Sequence, residues 1–195
     1  GALLAIQPGL IREAFKSLAA WRRLEGNETF RLSFNFSPEQ LTYPGFAYDL
    51  QIMLDEAGLD FDALQGEITE NTLLHDKDNL LPILMKFSES GLSLALDDFG
   101  TGYASVTHLA QLPLQMVKLD RSYVSSICED SRMASIVQHL IALAQSLNLR
   151  VIAEGVETQA QFELLQQSGC DEVQGYFFSK PLPLSNFESL YLSQV

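Results

Sequence analysis

Short apolar runs alternate along this chain with longer stretches whose apolar residues recur at three- and four-residue steps. The short runs predict strands at Arg31–Phe36, Leu64–Thr69, Leu92–Asp97, Met116–Leu119, Arg150–Ala153 and Glu172–Gly175. Helical spacing predicts helices between them at Phe46–Ala57, Asn79–Ser90, Val106–Leu112, Arg132–Leu147 and Gln159–Gln167, with others at Leu10–Arg22 and Ser185–Leu192. The period is plainest where Met133, Ile136, Val137, Leu140, Leu143 and Leu147 form one stripe. Gly58, Gly91 and Gly169 fall just past helix ends, while Thr158 and Ser185 stand at N-cap positions. Strands that alternate with helices imply a parallel sheet, and strands this apolar imply cover on both faces. The expected class is α/β, best fitted by a TIM (β/α)8 barrel with about six of its eight strands represented here. The expectation is one domain over residues 1–195 that lacks the N-terminal part of the barrel.

Composition narrows the partners. The chain has 195 residues and 47% hydrophobic content, enough for one sizeable core. Its 25 acidic and 12 basic residues give a net charge of −13, which excludes DNA or RNA as the expected partner but admits a small anion if metal ions offset the local charge. Cys128 and Cys170 lack ligand spacing and read as inert thiols of a reducing, cytoplasmic protein. No apolar run approaches the ~20 residues of a membrane span.

The chemistry gathers at strand ends. In LSLALDDFGTGYAS, an apolar run ends on Asp97 and Asp98 and breaks at Phe99, Gly100, Thr101 and Gly102. Successive strand residues face opposite ways, so a backbone bend is needed to bring both acids to one opening, and Gly100 and Gly102 permit it. Adjacent carboxylates call for a cation between them. The other strands end on Asn35, on Glu67 and Glu70, on Lys118 and Asp120, on Glu154 and Glu157, and on Gln174. In a barrel these ends share one mouth.

Alone, each residue has an ordinary structural role open to it. Asn35 or Gln174 can cap a turn, Glu70 can start a helix, and Asp120 and Glu157 can be solvated loop charges. Lys118, embedded between Val117 and Leu119, needs an acid partner. His75, His108 and His139 form no ligand pair and read as structural, and Phe15, Leu18 and Trp21 read as packing from the first helix. The ensemble of oxygen donors suits Mg2+ or Mn2+ rather than zinc. Two such ions can clamp a phosphodiester and activate water. Lys118 then orients that water or offsets charge on phosphorus, and Glu154 ligates an ion or receives a proton.

The segments FNFSPEQL, GEITEN, DDFGTGYAS, VKLD, AEGVET and VQGYFFSKPL, in this order and spacing, resemble the EAL domain of cyclic di-GMP phosphodiesterases. The resemblance runs from the first helix to the C-terminus. It implies a modified (β/α)8 barrel that cleaves cyclic di-GMP to linear pGpG with Mg2+ or Mn2+ at a two-metal site. It implies Asn35, Glu67 and Asp97 as ligands of one ion and Asp97, Asp98 and Glu154 around the second. Lys118 is implied to position the attacking water, with Gln174 as a second partner of that water. Glu70 is implied to anchor the Asp98–Ser105 loop, which couples dimer contacts to metal occupancy in the family. A homodimer and accompanying sensor or cyclase domains, one of which can attach the parent to a membrane, belong to the same expectation.

The Glu-Ala-Leu motif that names the family is absent from this chain, as is the arginine near it. A longer parent protein is expected, because a barrel opened by two strands exposes an apolar edge that natural proteins avoid. Two readings follow: a bacterial signalling enzyme with the set above, or a degenerate domain that holds cyclic di-GMP or a partner protein without cleavage. An unrelated barrel lyase is weaker, since no phosphate-gripping glycine loop precedes the last strands.

Overall fold

A computed structural model of the chain describes residues 2–24, 26–70, 72, 77–101 and 109–192, with side chains described from Gly9 onward apart from those of 77 and 78. Six strands, β1 (Leu32–Asn35), β2 (Leu64–Thr69), β3 (Ser93–Phe99), β4 (Met116–Leu119), β5 (Arg150–Ala153) and β6 (Glu172–Val173), form a single sheet in sequential order. Every neighbouring pair is parallel. Helices α1 (Ala2–Arg22), α2 (Pro38–Thr42), α3 (Phe46–Ala57), α4 (Lys77–Glu89), α5 (Arg121–Ser125), α6 (Ser131–Ser146), α7 (Gln159–Gln167) and α8 (Leu184–Phe187) complete the described elements, with a π-helical turn at Glu188–Leu192. This is the α/β architecture of a partial TIM barrel.

The strand alternation divides the residues into two layers. Leu64 and Ile68, Leu94 and Leu96, Val117 and Leu119, and Val151 and Ala153 join the large core beneath the helices. Phe15 and Leu18 of α1 are buried there, and Phe15 meets Phe34 edge-on at 5.7 Å. The other face carries Gln65 and Glu67, Ala95 and Asp97, Met116 and Lys118, and Ile152, followed by Glu154. Among the described residues, only Ala95, Met116 and Ile152 make an apolar cluster on that side. The expectation of cover on both faces holds for the central strands β2, β3 and β4 and fails at β1, which alternates between half-buried and exposed residues beside a trough of about 1330 Å³.

Helices α3 and α7 span the predicted residues. Gly58 closes α3 at φ 69°, and Thr158 opens α7 through a reciprocal capping box with Gln161. Four expectations are revised. Ser185 is no N-cap: Pro183 stands there without a side-chain cap, and Ser185 lies inside α8. The segment expected to be helical to Leu112 turns after Leu109, since Pro113 disfavours a helical Leu112; Val106, Thr107 and His108 of that segment lie outside the described residues, as does His75. Strand β6 is shorter than expected, although Gln174 N–H still donates to the Ala153 carbonyl at 2.8 Å. Strand β3 runs on to Phe99 through an irregularity at Asp98.

Candidate active site

The irregularity in β3 is a β-bulge. Leu96 pairs with Val117 and Phe99 with Leu119, so β3 spends one more residue than β4 over the same span. Asp98 takes φ 57°, in the left-handed region that aspartate tolerates better than most side chains. The bend predicted at Gly100 and Gly102 thus begins two residues earlier, at the acid itself; Gly100 continues it at φ 91°, while Gly102 lies outside the described residues. Asp98 N–H donates to Asp97 Oδ1 at 3.1 Å, and Thr101 N–H and Oγ1 both donate to the Asp98 carbonyl. Phe99, the residue between bulge and turn, is buried.

Lys118 is the hub. Its Nζ lies 2.7 Å from Glu67 Oε2, 2.7 Å from Glu154 Oε1 and 3.2 Å from Asp97 Oδ1, and the residue is only 5% exposed. Strands β2, β3 and β4 and the residue after β5 thus each contribute one side chain to a single cluster. Burial pulls the ammonium toward neutrality, but the carboxylates of Glu154 and Glu67 overcome it and hold its pKa above the ordinary lysine range. Burial likewise raises the Glu154 pKa against the opposing pull of Lys118, with the charges of Asp97 and Glu67 adding to the rise. Asp98 is raised for the same two kinds of reason, desolvation first and then repulsion from Asp97 and Asp120.

The remaining predicted residues lie at different depths. Asn35 pairs in register with Glu67 and is exposed. Gln174 lines the same trough as Glu67 and Lys118. Glu70, one residue past β2, is buried. Asp120 caps α5 by accepting from Ser122 N–H at 2.9 Å, and Glu157 is exposed. His139 is helical and exposed, with its Nδ1 2.6 Å from the Ser135 carbonyl. Cys128 and Cys170 are free thiols.

Two residues that sequence reasoning overlooked support the cluster. Gln65 Nε2 donates to Glu67 Oε1 at 3.4 Å, and its two-residue spacing from Glu67 was the available signal. Tyr123 of α5 donates through its hydroxyl to the Gly100 carbonyl. No sequence pattern marks that contact.

Among the described residues, no three His, Cys, Asp or Glu side chains form a group that could hold a metal ion as they stand. The space that Glu67, Asp97 and Glu154 share is filled by the Lys118 ammonium. Their chemistry nonetheless fits a hard divalent cation: three carboxylates around one ammonium leave the cluster net negative, and all the donors are oxygens.

A sequence model described as the EAL domain matches residues 1–181. The cyclic di-GMP phosphodiesterase NbdA of Pseudomonas aeruginosa is 40% identical over 179 residues, covering 92% of this chain and 23% of that protein. Similar solved structures include the PaMucR phosphodiesterase in complex with c-di-GMP, at TM-score 0.89 and 34% identity over 96% of this chain and 75% of that one. Klebsiella pneumoniae BlrP1 with manganese and c-di-GMP is similar at TM-score 0.78 and 30% identity, over 89% of this chain and 44% of that one. The chain spans about a quarter of the length of the curated relatives it matches.

Proposed function

The chain belongs to the EAL domain family, and on that premise we propose that its parent protein hydrolyses cyclic di-GMP to linear pGpG with Mg2+ or Mn2+. The observation that carries the proposal is the convergence of Glu67, Asp97 and Glu154 on Lys118 at the C-terminal ends of adjacent parallel strands. BlrP1, solved with manganese and c-di-GMP, supports the choice of cation and ligand. The receptor-only reading draws no support from NbdA or PaMucR, both of which are named phosphodiesterases.

In this proposal Asn35, Glu67 and Asp97 would hold the cation, with Asp98 beside them. A divalent cation bound there supplies Lewis acidity toward water and phosphate. Lys118, fixed by its acid partners and fully charged, offsets negative charge building on the phosphorus oxygens. Glu154, whose basicity burial raises, takes the proton of the attacking water. Gln174 faces the trough and orients that water, and Glu70 steadies the loop from Asp98 to Thr101. Strands from outside these residues pair with the open edges of β1 and β6 to close the barrel. A homodimer carrying sensor or cyclase domains in the bacterial cytoplasm completes the proposal; among the described residues, no helix is long and apolar enough to cross a membrane.

The test is product formation by the full-length protein with Mg2+ or Mn2+. Linear dinucleotide is expected, abolished by chelator and reduced at least about 100-fold by Glu154→Gln, the scale of one lost acid-base group. Turnover untouched by Glu154→Gln contradicts the assignment.

A further inference from the structure

Helix α5 follows directly on the strand that carries Lys118 and touches both acid-bearing loops. On one side, the Tyr123 hydroxyl donates to the Gly100 carbonyl, and the tyrosine ring lies against Gly100 so closely that a Cβ there would sit 3.0 Å from the hydroxyl and 3.2 Å from Cζ. On the other side, Gln161 Nε2 donates to the Val124 carbonyl at 3.2 Å, while Gln161 Oε1 accepts from Glu157 N–H and Thr158 N–H at 2.8 and 3.0 Å. Gly155, next to Glu154, lies against Arg121. One short helix therefore spans from the turn after Asp98 to the loop after Glu154.

The Tyr123 contact is the more informative of the two because of what it fastens. Asp98 holds a left-handed conformation that is strained for an L-residue and persists only where its surroundings impose it. The bulge is closed from within by Thr101, whose N–H and hydroxyl both return to the Asp98 carbonyl. Within that closed turn the Gly100 carbonyl is the group that Tyr123 takes. A phenylalanine would keep its ring against Gly100 and leave that carbonyl unheld. Glu70 and Asp120 lie near enough that their charges, after desolvation, raise the Tyr123 pKa.

We propose that Tyr123 is a positioning residue: its hydroxyl, by holding the Gly100 carbonyl, fixes the Asp98 bulge and so the placement of Asp97 and Asp98 against the Lys118 cluster. This rests on the phosphodiesterase reading for its kinetic consequence but not for its structural one. The Tyr123→Phe variant of the full-length protein separates the two. Hydrogen exchange of a peptide spanning Asp98–Thr101 is expected to quicken at least about tenfold, the loss of one hydrogen bond, while peptides of α3 and α6 keep their rates. With cyclic di-GMP, kcat is expected to fall about tenfold with KM within twofold, because the acids are misplaced rather than the ligand released. Unchanged exchange in that peptide overturns the proposal, as does faster exchange through the whole chain, which would mark Tyr123 as a general stabiliser. Unchanged kcat in a variant of an active enzyme overturns it too. An inactive wild-type protein overturns the function instead, and the exchange result still decides the role of Tyr123.

Discussion

Lys118 shows how a residue that should be costly to bury becomes the organiser of a site. Its ammonium is surrounded by three carboxylates, so removing it leaves acids facing one another in a desolvated space. Lys118→Met is expected to destabilise the protein by about 3–5 kcal/mol at neutral pH in denaturant unfolding. The sign with pH follows from linkage. Lys118 itself is raised, so its contribution is whole below the unfolded lysine value and lost only in strong alkali. Glu154 is also raised, so its stabilising contribution belongs to the protonated form and fades as pH climbs through its folded value. Without Lys118 that rise grows, and the gap between variant and wild type is expected to narrow as pH falls from 7 toward 5; a constant gap contradicts the cluster. Cys170 behaves in the opposite sense to a reactive thiol. Burial pushes its pKa up to about 11, and its Sγ donates to the Glu172 carbonyl at 3.1 Å. At pH 8, native protein treated with iodoacetamide is expected to label at exposed Cys128 and not at Cys170.

At the scale of elements, the helices with a full apolar stripe were legible and the shortest pieces were not. Helices α3 and α7 have a stripe, a glycine or threonine cap and enough length for the period to repeat. Helix α2 has five residues, too few for any period; its one readable mark is the capping box of Ser37 with Gln40. The bulge at Asp98 escaped because its left-handed residue is an aspartate beside two glycines that advertise the same turn more strongly. Lys118 was legible as paired, since an apolar strand leaves a lysine no other way to be buried, but the number of its partners depended on register, which sequence does not state. Gly175 joins two elements. A Cβ there would overlap the Val156 backbone, where β6 meets the loop after β5. Gly175→Ala is expected to lower stability by about 1–3 kcal/mol, read from thermal unfolding, because backbone cannot move aside as a side chain can.

At the scale of the molecule, six parallel strands in sequential order bring residues more than a hundred positions apart to one rim. The alternation of each strand sends aliphatic residues under the helices and polar ones inward, leaving, among the described residues, only Ala95, Met116 and Ile152 as an apolar floor. The strand count and order were readable from the alternating pattern alone. The trough beside β1 was foreshadowed only by the shortfall of two strands, and its lining by β1 and by the chain after β6 has no mark in the sequence. If the rim is one chemical unit, its parts fail together rather than separately. The decisive measurement is a double-mutant cycle on kcat for cyclic di-GMP hydrolysis by the full-length protein, using Lys118→Met, Glu154→Gln and the pair combined. Each single change is expected to cost at least about 100-fold, and the pair scarcely more than the worse of them. Losses that multiply, as for two groups acting apart, would contradict it.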